Sequence, residues 1–288
     1  MMLSHEPTRI LITGSQGMLG TEWAVFLAHH HPEVSVLGTD CRELDITHSA
    51  QVERAVKEFQ PHWIINSAAY TDVDKAETER DLAYQLNVLG PQNLAEAASK
   101  VNARLIHFST DYVFNGFGHH AWTEKDTPNP LPGNWYGQTK KLGEDFVLRE
   151  SSNLIFRIQW LYGQKKERFS VLKTRTEFTP FIDQFGAPTW TQDIVKTCFE
   201  VMKRGGNGLF HLAYDDFASW YDVYDFVKQE WNLAVQLKPK KSDEVQLPAK
   251  RPLNGRLCNQ KLKKFLGVSE LGSWKTSLKN FLGTLNND

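Results

Sequence analysis

Short, nearly continuous apolar runs alternate along this chain with longer stretches in which apolar positions recur every three or four residues. The runs at 9–13, 34–39, 63–66 and 103–109 are too brief for helices and read as buried strands. Between them, 19–29, 50–58, 81–100 and 137–150 carry helical spacing, with Pro61 and Pro91 at element boundaries. Strands that alternate with helices in this way pack as a parallel sheet with crossover helices on its faces. The expected fold is therefore α/β, a doubly wound parallel sheet of Rossmann type. Two more strands are expected at 154–157 and 208–212, and two helices at 220–231 and 260–266. After about residue 160 the periodicity weakens and Pro and Trp become frequent, which suits a smaller C-terminal substrate-binding domain. The expected division is 1–160 for the larger domain, with 187–212 returning to it, and 161–186 plus 213–288 for the smaller one.

Composition adds limits rather than detail. With 288 residues, 41% of them hydrophobic, the chain can bury a substantial core, and a net charge of −1 offers no polyanion-binding surface. Nucleic acid is not an expected partner. The segment from Met1 to Arg9 is polar and leads into an apolar run too short for a signal peptide or a bilayer span, so no membrane is expected and the location is read as cytoplasmic. Cys41, Cys198 and Cys258 are far apart and form no CxxC, so neither a disulfide framework nor a zinc site is indicated; they are expected to be reduced and packed. The His29–His31 triplet reads as a solvated helix end. No metal is expected.

The first strand runs into Gly14-Ser15-Gln16-Gly17-Met18-Leu19-Gly20, a GxxGxxG loop that opens a helix. A tight turn, backbone approach by a phosphate and close packing of helix on strand all require missing side chains, and the helix start offers free amides to a pyrophosphate. Gly14, Gly17, Met18, Leu19 and Gly20 are therefore candidate cofactor contacts. Asp40 follows the second strand, where a carboxylate can bond the adenosine ribose hydroxyls. Arg42, two residues on, could instead meet a 2′-phosphate, so the cofactor is read as NADP or NAD.

Tyr136-Gly137-Gln138-Thr139-Lys140 is a YxxxK on a helix, which puts phenol and ammonium one turn apart on one face. Reducing a ketone requires a hydride and a proton, and a phenol of ordinary pKa near 10 is a sluggish donor until a cation favours its ionised form. Lys140 can do that and also bond the nicotinamide ribose. Ser109-Thr110-Asp111 ends the fourth strand, at the sheet edge where ligands of such folds bind, and supplies a hydroxyl for the substrate carbonyl.

With these segments on the page, the chain resembles the extended short-chain dehydrogenase/reductases and, within them, the dTDP-4-dehydrorhamnose reductase family. The likeness spans nearly the whole chain. It rests on Gly14 to Gly20; Glu43-Leu44-Asp45-Ile46-Thr47; Asn66-Ser67-Ala68-Ala69-Tyr70-Thr71-Asp72-Val73-Asp74-Lys75-Ala76-Glu77; Ser109-Thr110-Asp111-Tyr112-Val113-Phe114; Tyr136 to Lys140; Asp183-Gln184-Phe185-Gly186-Ala187-Pro188-Thr189; and Arg251-Pro252. The resemblance implies NAD(P)H-dependent reduction of the 4-keto group of a nucleotide-linked deoxysugar. It makes Tyr136 the proton donor, Lys140 its electrostatic partner and Thr110 the carbonyl-binding hydroxyl, assisted by Asp111. It also places Asp45, Ile46, Ala68, Ala69 and Tyr70 along the adenine and ribose side of the cleft, turns Trp160 and Arg251 to the sugar nucleotide, and allows a homodimer. On the residues alone, the acidic stretch from Asp72 to Glu79 reads as a solvated helix start and the Asp183 to Thr189 segment as a polar loop.

Two departures concern the sugar. Ile158-Gln159 stands before Trp160 where the family carries Thr-Ser, and the reach from Tyr162 to Asp183 is short and without helical pattern. Some relatives hold a divalent ion through glutamates at a dimer contact; here Glu22 lacks evident partners. Two rival readings stand beside the reductase: an epimerase or dehydratase on the same scaffold, and a non-catalytic subunit of the kind that regulates methionine adenosyltransferase.

Overall fold

The computed structural model describes residues 7–165 and 167–285, so most of the polar segment from Met1 to Arg9 lies outside them. Six strands form one parallel sheet: β1 (Arg9–Thr13), β2 (Ser35–Thr39), β3 (Trp63–Asn66), β4 (Arg104–Thr110), β5 (Leu154–Ile158) and β6 (Gly208–His211). Their order across the sheet is β6-β5-β4-β3-β1-β2. β1 is flanked by β2 on one side and β3 on the other, so the chain reverses its winding there, and the crevice at their C-terminal ends is where ligands of open α/β sheets bind.

The central strands read as almost unbroken apolar runs because both of their faces are covered. On one face α1 (Met18–His30) lies beside helix Thr191–Lys203, with Trp23, Leu27, Ile194 and Cys198 packed against Ile10, Ile12 and Phe156. On the other, α2 (Ser49–Phe59) and the helical run from residue 80 to residue 100 cover Leu11, Ile64, Leu105 and Ile155. That run was expected as one helix over 81–100. It is instead α3 (Arg80–Tyr84), a π-helical turn (Gln85–Leu89) and α4 (Gly90–Lys100). The π turn turns Asn87 inward, and α5 (Trp135–Val147) comes so close there that a Cβ on Gly143 would lie 2.2 Å from the Asn87 carbonyl oxygen.

The remaining helices in chain order are α6 (Thr191–Lys203), α7 (Trp220–Glu230), α8 (Gln260–Leu266) and α9 (Trp274–Thr284). α6 and α9 were not anticipated. α6 and β6 return to the sheet, and Leu262 and Leu266 of α8 also pack into its first core. α7 and α9 enclose a separate aromatic core of Tyr162, Phe169, Trp274 and Phe281. The two cores are tied by Tyr214, whose hydroxyl donates to Asp193 Oδ2 at 2.5 Å, and by Ser277, whose hydroxyl donates to the same oxygen at 2.6 Å. The cysteines are free thiols, but only Cys198 is buried; Cys41 is exposed beyond β2, against the expectation that all three are packed. Among the described residues no helix is long and apolar enough to cross a membrane.

Candidate active site

β1 turns into α1 through the glycine loop. Gly14 has φ +65°, and a Cβ there would come within 2.8 Å of the Ala68 backbone at the end of β3; one on Gly20 would lie 2.1 Å from the Gly14 carbonyl oxygen. Those two glycines are required by the protein's own packing. Gly17 differs: its φ is −71°, and an added Cβ would meet only the Gly14 oxygen, at 3.1 Å. Met18 and Leu19 begin α1, whose first amides have no intrahelical acceptor. The loop thus offers a side-chain-free surface beside unfilled donors, which fits a dinucleotide's pyrophosphate. Gly17→Val is expected to weaken dinucleotide binding by about tenfold or more without unfolding the protein, whereas Gly20→Val should fail to fold. Calorimetric titration with NADPH, alongside circular dichroism, checks both; full affinity in the Gly17 variant would move the phosphate site elsewhere.

Asp40 is already engaged: its carboxylate accepts from Gln16 N at 3.2 Å and from Cys41 N at 2.8 Å, pinning the loop to the end of β2. Asp45 likewise accepts from Thr47 N and Thr47 Oγ1, and Ile46 is buried against Gly90. Ala68 N donates to Asn66 Oδ1, Ala69 follows it, and Tyr70 is clamped by Asn87, whose Oδ1 accepts from Tyr70 N at 2.9 Å. Asp40 and Ala68 thus lie directly against the glycine loop.

On the other side Asn134 caps α5, accepting from Gly137 N at 2.8 Å, and presents Tyr136 and Lys140 toward the end of β4. The Thr110 hydroxyl donates to Asp111 Oδ1 at 3.1 Å and faces the Tyr136 phenol. Burial pushes the phenol above its ordinary pKa, Thr110 opposing this and the Asp111 charge adding to it. Tyr136 therefore keeps its proton at neutral pH. Lys140 Nζ lies 3.3 Å from His107 Nε2. Burial lowers the ammonium to about 8, with Glu144 one turn on opposing.

Asp111 is buried and pushed up to about 7 by desolvation, Thr110 opposing. Between about pH 4 and 7 the folded chain holds a proton that the unfolded chain has lost, so this group lowers stability as pH rises through that window, and the loss is complete above it. Asp111→Asn is expected to leave the melting temperature unchanged near pH 4 and to stabilise the protein at pH 8 by on the order of 3 kcal/mol. Thermal melts at the two pH values read it; an equal effect at both would mean that Asp111 is ionised throughout.

Trp160 has φ +47° and stacks on Trp220 at 3.9 Å, with Arg168 over the Trp220 ring. Arg251 reaches across to Asp74, donating from Nη1 to Oδ1 and from Nη2 to Oδ2, both at 2.7 Å. The acidic stretch is thus not a solvated helix start. Asp74 holds Arg251, Glu77 accepts from Trp135 N at the head of α5, and Glu79 accepts from the Tyr70 phenol. The 183–189 segment is no free loop either: Phe185–Gly186 pairs with Ala218–Ser219, Thr189–Trp190 pairs with Leu161–Tyr162, and Asp183 accepts from Ser242. Sequence reasoning passed over Asn66, Asn87, His107 and Asn134, whose roles depend on neighbours remote in the chain.

The parallel sheet, the glycine loop at the winding reversal and the Thr–Tyr–Lys grouping are those of the extended short-chain dehydrogenase/reductases, NAD(P)-dependent enzymes of Rossmann type. The RmlD substrate binding domain family matches residues 8–287, and the chain belongs to that family. It is 35% identical over 291 residues to the dTDP-4-dehydrorhamnose reductase of Aggregatibacter actinomycetemcomitans, with 94% of this chain and 97% of that protein covered. Among solved structures it is similar to a dTDP-4-dehydrorhamnose reductase from Clostridium acetobutylicum, with TM-score 0.92, 37% identity and coverage of 97% and 100%. The dTDP-4-dehydrorhamnose reductase of Bacillus anthracis in complex with NADP gives TM-score 0.90 at 33% identity, covering 96% of this chain and 98% of that one.

Proposed function

We propose that the chain reduces the 4-keto group of a nucleotide-linked deoxysugar, dTDP-4-dehydrorhamnose to dTDP-rhamnose, with NADPH as reductant. The observation that carries the reading is the grouping of buried Thr110 and Asp111 at the end of β4 with the half-buried Tyr136 of α5, whose phenol holds its proton. When bound, the nicotinamide cofactor supplies a hydride for the carbonyl carbon. Thr110 turns its hydroxyl to the carbonyl oxygen and orients it, and Tyr136 gives that oxygen a proton. Lys140, once charged, favours the phenolate that remains and bonds the ribose, while Asp111 supports Thr110. Gly14, Gly17, Met18, Leu19 and Gly20 would hold the pyrophosphate. Asp40, Asp45, Ile46, Ala68, Ala69 and Tyr70 would flank the adenosine. Trp160 and Arg251 would meet the sugar nucleotide, Arg251 exchanging Asp74 for a phosphate or keeping it as a brace.

The reading includes the division into a cofactor lobe (1–160 with 187–212) and a substrate lobe (161–186 and 213–288), although α8 of the latter packs into the core of the former. A cytoplasmic location belongs to it too, and size-exclusion chromatography would decide the homodimer that the resemblance allows. Substrate-dependent loss of NADPH absorbance is the test. Turnover without net oxidation would favour the epimerase reading, and tight NADPH binding without turnover the regulatory one.

Specificity turns on the residues before Trp160. Ile158 is paired with Thr110 across β5 and β4, and the Gln159 side chain is 2% exposed with neither amide atom hydrogen-bonded. A buried amide without partners costs roughly 1–3 kcal/mol, which a substrate hydroxyl would offset. Ile158→Thr with Gln159→Ser is expected to change kcat/KM ratios among 4-keto-deoxysugar nucleotides by about ten- to a hundredfold, in favour of the rhamnose precursor, while Trp160→Ala depresses all of them. A competition assay over such a panel reads the ratio; an unchanged one would make Gln159 a packing residue.

A further inference from the structure

A buried chain of side chains runs across the sheet beneath the cleft. Thr13 Oγ1 on β1 donates to Asn66 Oδ1 on β3 at 2.8 Å; Asn66 Nδ2 lies 3.1 Å from His107 Nδ1 on β4; His107 Nε2 lies 3.3 Å from Lys140 Nζ on α5. Every member is buried. The donors and acceptors along it can be assigned in order. Ala68 N, a donor only, points at Asn66 Oδ1 at 3.2 Å, as does the Thr13 hydroxyl, so that atom is the carbonyl oxygen and the amide nitrogen faces the imidazole. An amide nitrogen can only donate, so His107 Nδ1 accepts and carries no proton. A neutral imidazole then bears its single proton on Nε2, the atom that faces Lys140. An Nε2–H opposite an ammonium sets donor against donor. Opposite an uncharged amine it makes a hydrogen bond.

We infer that His107, locked as the Nε2–H tautomer by Asn66, is a positioning residue that donates to the Lys140 amine and thereby sets when Lys140 acquires its charge. Above about pH 8 the bond holds Lys140 against β4 with its lone pair engaged. Charging Lys140 takes up one proton and forces Nζ off the imidazole, toward the space where the proposed reaction needs a cation. The inference rests on the proposed function only for that last consequence. Burial of both groups supports the assignment: it holds the imidazole well below its ordinary pKa, and therefore neutral, and brings the lysine down to about 8. The other charged groups packed around Lys140 are Glu144, one turn along α5 and paired with Arg157 from β5, and Asp111, which faces Tyr136 one turn before it. Glu144 opposes the lowering, so the imidazole N–H acts in the same direction as burial and against the carboxylate.

The test needs no substrate, so it is separate from the NADPH assay that tests the proposed function. In unliganded protein labelled with 15N-histidine, long-range 1H–15N correlation reads the tautomer of each ring, and the His107 signals are assigned by their loss in His107→Asn. The expected pattern is a neutral Nε2–H ring. In protein labelled at the lysine ε-carbon, the Lys140 resonance gives its titration midpoint. His107→Phe keeps the site dry but removes the donor; His107→Asn keeps a group near Asn66 but cannot reach Nζ. Either variant should raise the Lys140 midpoint by about one pH unit or more, a tenfold gain in proton affinity. A merely structural histidine would leave that midpoint in place. An Nδ1–H or doubly protonated ring in the parent, or an unmoved Lys140 midpoint in the variant that folds, overturns the inference.

Discussion

Tyr136→Phe should lower turnover by about a hundredfold or more while leaving NADPH affinity within a few-fold of the parent. The substitution removes one oxygen from a half-buried ring. The ring itself packs edge-on to Tyr112 at 5.6 Å, a contact that phenylalanine keeps. What goes is the proton that burial and the Asp111 charge hold on the phenol against the pull of Thr110. If the hydroxyl only filled space, kcat would stay within a few-fold; a loss borne by KM alone would make Tyr136 a binding group. Steady-state kinetics with dTDP-4-dehydrorhamnose, together with direct titration of NADPH, separate the three outcomes.

Arg157→Ala is expected to destabilise the fold by about 3–5 kcal/mol, because it strands a carboxylate in the core. Arg157 on β5 donates to both Glu144 oxygens, at 2.8 and 2.7 Å, and the two side chains are 2% and 3% exposed. Its Nη1 donates to His211 Nε2 at 3.2 Å, and His211 Nδ1 in turn donates to the Trp122 carbonyl. Burial, reinforced by the Arg157 charge, brings His211 down to about 3, so the imidazole is neutral and its tautomer is fixed by these two bonds. Phe114, which closes the 109–114 motif, lies under the guanidinium at 4.9 Å. The pair therefore ties α5 and the turn after β4 to β5 and β6. Replacing both members with apolar residues, Arg157→Met with Glu144→Leu, should cost much less than the single change, since no charge is left unpaired. Urea unfolding of parent, single and double variants measures this; an equal loss in single and double would assign the cost to packing alone.

Local pattern carried much of the architecture. A buried parallel strand must be apolar on both faces, so 9–13, 63–66 and 103–109 announce themselves without knowledge of their neighbours, and the observed strands match them to within a residue. The glycine loop was legible for the same reason: a strand, a turn and a helix start are consecutive in the chain. The YxxxK pair was legible as a pair because helical spacing alone puts the two groups on one face. Helices α6 and α9 were missed although each carries an apolar stripe, Ile194, Cys198 and Met202 along α6 and Trp274, Leu278 and Phe281 along α9, because the irregular segments around them gave no alternation to frame them. The π turn was missed because its hydrogen-bond shift leaves no mark in the apolar spacing.

What the sequence by itself determined, then, was the strands of the sheet and the helical segments of the first half, the glycine loop and the inventory of reactive groups. Which groups touch was decided by the tertiary structure. Lys140 finds His107, 33 positions away on a neighbouring strand, and Arg251 finds Asp74, 177 positions away. The acidic stretch becomes a brace instead of a solvated helix start. The physical reason is burial. In water each of these charges would be satisfied locally and its partner would hardly matter; in the dry interior and the cleft wall an unpaired polar group is costly, so the fold selects partners by proximity across the sheet, and chain spacing does not encode that proximity.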